Sequence, residues 1–441
     1  MFQTLRNAWK LADLRRKILF VLFILLLYRV GAQIPVPFMN GAVAASIAQQ
    51  TEGSILQYLN ILSGGAFSQA TLFALGISPY ITSSIVIQLL SVAIPALERL
   101  AKEGEEGKKK INQITRVVTV ALALITAIGY QMMMEGYGLL AIPAGVNEIF
   151  AKVVIIACYC AGSSLVMWLA EKINENGIGN GISLILFVNI VASAPSIATS
   201  VVNLCKGSVQ GVNQVVGIIL AAVGVLVGIA MIVFIVFITN SERRIPVQYA
   251  KKVVGRKMYG GQNSTLPIKL NNTGVMPIIF ASSIISLPAT IGMIIESASG
   301  KQITGFWKGF FDFFSANNWP YAVLTFILII AFAYFYILIS FNPVEVSNNL
   351  KKNGGSVPGI RPGKPTSDYI TRVLNRITLI GAIFLGFIAV IPMIINLCSG
   401  GVMSGLAFGG SSIIIVVGVV IETAREIEGQ MTMRHYKGFL D

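Results

Sequence analysis

This sequence predicts an all-α integral membrane protein: ten transmembrane helices in two inverted five-helix halves. Three observations carry the prediction. The 441 residues are 55% hydrophobic and 12% charged, with a mean hydropathy of +0.75, about half the charge of an ordinary soluble domain. Ten apolar runs are long enough to cross a bilayer, which takes roughly 20 residues each. Lys and Arg are concentrated in a few segments, as the positive-inside rule requires. The short alternating segments of a transmembrane β-barrel do not appear.

The chain opens with a basic segment, 1–17, carrying Arg6, Lys10, Arg15, Arg16 and Lys17. An apolar run follows from Ile18, passes Arg29 and continues to Val36. It resembles a signal peptide at first, but it lacks a convincing small-residue cleavage site and is read as a retained first span. The spans expected are 18–36, 71–97, 114–134, 150–170, 182–202, 213–239, 273–294, 319–341, 373–397 and 404–422. The first half is 18–204, the second is 213–422, and 423–441 is a tail. No Lys or Arg occurs from 30 to 98, whereas 99–116 has six, 240–272 has seven and 342–376 has six. These loops and both termini are therefore expected inside, and ten spans close the count consistently. The net charge of +14 suits a basic membrane face, with a ribosome-facing surface as a further reading.

The halves share a signature. "GISPYITSSI" begins at Gly76 and "GVMPIIFASSI" at Gly274. Allowing one extra residue in the second, Gly, Pro, Ser-Ser and Ile align. The two elements open the second and seventh spans, five apart. Because five is odd, their topologies are opposite, as in an inverted repeat; chance likeness of two apolar segments is the competing reading.

The stretch "LSGGAFSQATLFALGISPYITSS", residues 62–84, is polar, glycine-rich and interrupted by Pro79 where a greasy span is expected. Broken backbone at membrane depth is tolerated only against protein or a water-filled cavity. Ile77, Ile81 and Ile85 lie four apart on one helix face. That face is either a packing or lipid-facing stripe, or an apolar constriction among the polar Ser78, Thr82, Ser83, Ser84 and Gln88. The fifth span interleaves Asn180, Ser183, Asn189 and Ser193 in the same half-wet manner.

Much chemistry is excluded. The span middles hold no Asp, Glu, Lys or His, so ion-coupled transport through intramembrane carboxylates is disfavoured. The one histidine, His435, lies in the tail, which removes histidine-based catalysis in the membrane. Phosphate-loop and H-E-x-x-H patterns are missing, so no nucleotide, metal or other cofactor is expected. The cysteines, Cys158, Cys160, Cys205 and Cys398, have no zinc-type spacing and read as apolar core residues. A small-solute transporter and a pore-free insertase are the alternative functions.

The quoted stretches, together with "NGIGNGISLILF", "ERRIPVQYAKKVVGRKMYGGQNSTLPIKLN" and "FNPVEVSNNLKKNGGSVPGIRPGKPTSDYI", resemble the SecY family of protein-conducting channel subunits, in family order from about Trp9 to the last span. The resemblance implies a central pore that passes unfolded secretory preproteins across the bacterial cytoplasmic membrane and releases hydrophobic segments sideways into the lipid, with no bond chemistry. It implies a re-entrant plug helix at about 59–70, including Ser63, Gly64, Gly65, Phe67 and Ser68. It implies a pore ring of Ile77, Ile81, Ile85, Ile182, Leu186, Ile279 and Ile415, with Leu186 where isoleucine is common. It implies a lateral gate between the second and third spans and the seventh and eighth, involving Pro79, Ser83, Gln88, Gly274, Pro277 and Ser282. The turn-rich basic loops 240–272 and 342–372 would dock the SecA ATPase or the ribosome with its nascent chain, through Arg361 foremost and Arg243, Arg244, Arg256 and Lys257 in support. Topology alone would also place Lys and Arg there. SecE, SecG and signal sequences complete the implied partners, beside membrane lipid and a ribosomal RNA contact.

Overall fold

A computed structural model describes residues 6, 8–40, 60–61, 63–136, 138–143, 145–206, 214–249, 252–254, 257–259, 263–299, 305–314, 318–398 and 409–437. A helix lies on each expected span. In order they are α1 (Ala12–Gly31), α2 (Ser78–Ala93), α4 (Glu105–Gly136), α5 (Glu148–Asn176), α6 (Gly181–Cys205), α7 (Gln214–Asn240), α8 (Met276–Ser299), α10 (Trp319–Ser340), α12 (Lys364–Cys398) and α13 (Gly409–Lys437). Short helices α3 (Pro95–Lys102), α9 (Phe306–Phe313) and α11 (Pro343–Lys352) connect them. Among the described residues, five helices, α4, α5, α7, α12 and the run from Trp319 to Lys352, are long and apolar enough to span by themselves.

Several boundaries differ from the sequence reading, each for a local reason. The first helix occupies Ala12–Gly31 instead of 18–36. Beyond it Pro35 and Pro37 favour extended backbone, and Pro35 bridges to Thr71. The second helix starts at Ser78, not 71. Gly76, at φ +55°, turns the chain into it, and Pro79 sits in its first turn, where a missing N–H costs nothing. Pro95 ends it, and the chain bends by 101° into α3. The helix on the ninth span, α12, begins at Lys364, nine residues before the expected span, and that on the tenth, α13, runs on to Lys437, through most of the expected tail.

The long basic loops are structured, which the all-α expectation did not include. β1 (Glu242–Tyr249) pairs antiparallel with β4 (Asn263–Lys269), with Ile245 opposite Leu266, and with β5 (Gly355–Ser356), with Tyr249 opposite Gly355. A small hairpin joins β2 (Lys252–Val254) and β3 (Lys257–Tyr259). β5 therefore ties one basic loop to the other.

Packing follows the inverted repeat. In the first half α2 packs on α4, α4 on α5, and α1 on α6; in the second α8 packs on α10, α10 on α12, and α7 on α13. These are the same pairings, five spans on. The halves meet on two sides. On one, α6 lies against α7 and α13; on the other, α8 lies against α2 and α4. Both repeat glycines have left-handed backbone, Gly76 at φ +55° and Gly274 at φ +64°, and each precedes its helix by two residues. Glycine adopts that conformation without the steric penalty of a Cβ.

Candidate channel site

The residues expected to line the pore share one buried region. Ile77, Ile81, Ile85, Leu186, Ile279 and Ile415 are buried in one apolar cluster, and Ile182 is half-buried against it. They come from four elements: the start and body of α2, then α6, α8 and α13. Ile61 and Ala66 of the plug segment belong to the same cluster. The expected pore and plug residues thus belong to one continuous apolar core.

The plug segment is not a regular helix where it is described. Asn60 and Ile61 are helical, and 63–70 is a run of turns; Leu59 and Leu62 lie outside the described residues. Gly64 (φ +65°), Gly65 (φ +91°) and Ala70 (φ +49°) are incompatible with a continuous right-handed helix. Short polar side chains hold the turns together. Ser63 Oγ accepts from Phe67 N at 3.0 Å and donates to the Asn60 carbonyl at 3.1 Å. Asn60 Oδ1 accepts from Ser68 N at 3.0 Å, and Ser68 Oγ donates to the Gly65 carbonyl at 3.1 Å. This is the local bonding that Ser and Asn offer in place of secondary structure.

Three side-chain hydrogen bonds fasten this knot to the bundle, beside the backbone bond from Val36 N to the Ala70 carbonyl at 3.3 Å. Arg29 Nη1, in the last turn of α1, donates to the Gly64 carbonyl at 3.0 Å. The Tyr130 hydroxyl donates to the Phe67 carbonyl, and the Phe67 and Tyr130 rings lie 4.8 Å apart. The Tyr159 hydroxyl donates to the Ala70 carbonyl at 3.4 Å. Asn189, fully buried on α6, donates through Nδ2 to the Tyr28 hydroxyl at 2.8 Å. A Cβ on Gly64 would come within 2.8 Å of Asn189 Oδ1 and 3.0 Å of Arg29 Nη1. Sequence reasoning did not assign Arg29, Tyr130, Tyr159 or Asn189 to the plug. Arg29 had a visible signal, as a lone cation near the outer end of an apolar run.

The expected gate residues divide. Pro79 and Pro277 are buried near the starts of α2 and α8. Ser282 is buried on α8. Ser83 is buried, but its hydroxyl donates to the Thr115 carbonyl on α4 at 2.8 Å, within its own half; it pins α2 to α4. Gln88 Nε2 donates to Ser84 Oγ at 3.3 Å on the same helix. Because α8 lies against both α2 and α4, the seam between the halves is shut here.

Below Gly274 lies a polar cavity of about 410 Å³, lined by Thr239, Lys269, Asn271, Tyr336, Glu422 and Arg425 among others. Burial and the neighbouring Arg425 push the Lys269 ammonium below the usual lysine range. Arg425 Nη2 donates to the Thr239 carbonyl at 2.7 Å and to Asn240 Oδ1 at 2.8 Å. Glu426 Oε2 accepts from Gly179 N at 2.9 Å, joining α13 to the first half. These links were not read from the sequence.

Of the expected docking residues, Arg243, Arg244 and Arg361 are exposed. Arg244 pairs with Glu242 at 2.7 Å. Lys257 lies on β3, and Arg256 is outside the described residues. Arg361 rises from a turn braced on both sides: its carbonyl accepts from Thr366 Oγ1 at 2.8 Å, and Ser347 Oγ donates to the Gly363 carbonyl at 2.7 Å. Beneath it Ile245, Ile268, Val357, Ile370 and Leu374 form a separate small core. A buried base of this kind fixes the backbone turn that carries Arg361.

Residues 71–424 match the family model described as SecY. The chain belongs to the SecY family. Curated SecY relatives agree over their whole length. The protein translocase subunit SecY of Mycobacterium bovis is 43% identical over 452 aligned residues, covering 100% of both chains. Those of Streptomyces coelicolor and Streptomyces galbus are 43% and 41% identical, with the same coverage. Among solved structures, one titled "The structure of a protein conducting channel" matches with a TM-score of 0.64 at 16% identity, over 94% of this chain and 92% of that one. Canine Sec61, from a ribosome-channel complex of the endoplasmic reticulum, matches with a TM-score of 0.61 at 17% identity, over the same shares. At such identities the likeness establishes the SecY/Sec61 fold.

Proposed function

We propose that this SecY-family chain is the channel-forming subunit of a protein translocase in a bacterial cytoplasmic membrane, with both termini on the cytoplasmic side. It passes unfolded secretory chains along its axis and releases hydrophobic segments sideways. The observation that supports this reading best is the shared burial of Ile77, Ile81, Ile85, Leu186, Ile279 and Ile415 with the plug residues Ile61 and Ala66. Branched apolar side chains offer an ion no ligand, so a narrow ring of them charges it the cost of losing its hydration shell. The same side chains yield around a polypeptide and give it no hydrogen bond to stick to. The plug adds a second seal, held by a few backbone bonds that can be released one by one.

The seam where α8 meets α2 and α4 is the lateral gate, with Gly76 and Gly274 at the turns that open its two faces. No bond is made or broken by the chain, so the driving energy comes from a partner. SecA or a translating ribosome docks on the sheet-bearing loops around Arg361, Arg243 and Arg244. SecE and SecG are the small membrane partners.

Widening the ring tests this. Ile81→Asn together with Ile279→Asn, in proteoliposomes of the full complex, is expected to raise ion conductance and to admit preproteins with defective signal sequences. Variants that stay electrically tight and fully selective would place the constriction elsewhere.

A further inference from the structure

The connection between the seventh and eighth spans, expected on the outer face, reads "FWKGFFDFF" over 306–314. Its helix, α9, stands directly after α8. On a helical wheel Phe306, Trp307, Phe310, Phe311, Phe313 and Phe314 occupy one continuous arc, and Lys308, Gly309 and Asp312 the other. The rings touch in sequence: Trp307 lies 6.2 Å from Phe306 and 6.1 Å from Phe310, and Phe310 lies 5.2 Å from Phe314. Despite that packing, Phe306 is 81% exposed and Trp307 60% exposed. A row of aromatics of this size left facing outward needs a covering phase.

What covers it follows from its neighbours. Phe311 is pressed against α8 at Gly292, where an added Cβ would meet the ring at 2.7 Å. On the adjoining helices Leu287, Ile291 and Ile295 of α8, and Trp319, Val323 and Ile327 of α10, also point outward. These are faces of membrane-spanning helices, so lipid covers them, and the aromatic arc prolongs the same surface to its edge. Aromatic rings, a single lysine and a polar opposite face form the composition of a helix lying in the headgroup boundary. The other half has a counterpart: α2 also runs, through its 101° bend, into a short helix, α3, at the opposite end of an inverted element.

We propose that α9 lies flat in the outer-leaflet boundary, with its exposed rings Phe306, Trp307, Phe310 and Phe313 among the upper acyl chains while Phe311 and Phe314 pack on the protein, and holds the outer end of the seventh span to phospholipid. Its leaflet rests on the orientation read from the basic loops; its depth does not. When the gate parts, α8 moves with one end held in the lipid.

The test is lipid quenching of tryptophan fluorescence in the full chain, reconstituted with its partner subunits in phosphatidylcholine and phosphatidylglycerol vesicles. The signal attributable to Trp307 is the difference between the native chain and the Trp307→Phe variant, which needs no change at Trp9, Trp168 or Trp319. That difference is expected to be quenched about twofold more by a nitroxide near the headgroup than by one at the acyl-chain end. Equal insensitivity to both nitroxides would overturn the proposal, as a helix in water or under a protein partner behaves so. Strongest quenching from the chain end would overturn it too, by placing the helix in the bilayer core. An impermeant aqueous quencher that reaches Trp307 only from the cytoplasmic side would overturn the leaflet, and with it the orientation, while leaving the depth result standing.

Discussion

Gly64 shows how narrow the tolerance is at a single position. Its φ of +65° and the proximity of Asn189 and Arg29 leave no room for a side chain. Gly64→Ala is expected to cost the seated plug about 1 to 2 kcal/mol from backbone strain alone, and more from the clash. In planar bilayers this should appear as raised spontaneous conductance, with expression and assembly unchanged. Arg29→Gln, which loses the charged donor to the Gly64 carbonyl, should do the same in a milder form. Arg361 calls for a different assay. Because its loop is braced from below, Arg361→Glu should leave the thermal midpoint unchanged while abolishing motor-driven secretion, since reversed charge repels the partner surface that a guanidinium would bind. Normal secretion in that variant would remove the residue from the docking surface.

Among the elements, the apolar helices were legible in the sequence because hydropathy in lipid is a local signal. The segment 60–70, proposed as the plug, was legible as an anomaly, a polar and glycine-rich break, but its turn structure and its fastening were not. The Arg29 contact joins residues 35 apart in the chain, and the Asn189 to Tyr28 bond joins residues 161 apart. No local pattern encodes such pairings. The sheet was obscured because β1 buries only Ile245 and Val247 among charged neighbours, too short an alternation to stand out. Deleting residues 60–69 is expected to leave the bundle assembled, since its fastening is a few hydrogen bonds, while signal selectivity loosens. The C-terminal end of α4 carries an acid-sensitive contact. Glu135 accepts from Lys152 at 2.7 Å and from Gln131 at 2.9 Å, and the lysine's hydrogen bond holds its carboxyl below the usual range. A depressed native value means the contact stabilises above the unfolded carboxyl value of about 4.3 and is lost as pH falls through the folded one. Glu135→Gln should therefore lower the melting midpoint at neutral pH, and the difference should shrink as pH falls through the folded carboxyl's depressed value.

For the whole molecule, the two halves meet on two sides of one apolar core. α6 meets α7 and α13 on the first, and α8 meets α2 and α4 on the second. The matching Gly-x-x-Pro elements signalled the correspondence of α2 and α8 from sequence, because an inverted repeat predicts two like helix starts. The polar cavity and the Glu426 to Gly179 bond had no such signal, as they arise only when the two halves are brought together. The central claim is that a polypeptide travels between those halves along the isoleucine-rich axis. Site-specific photocrosslinking to a stalled secretory chain tests it most directly. Probes at Ile81 and Ile279 should crosslink to the chain in transit, while a probe at Leu226, on the outward face of α7 and 69% exposed, should label only lipid. Crosslinks at Leu226 with none at Ile81 or Ile279 would contradict the account.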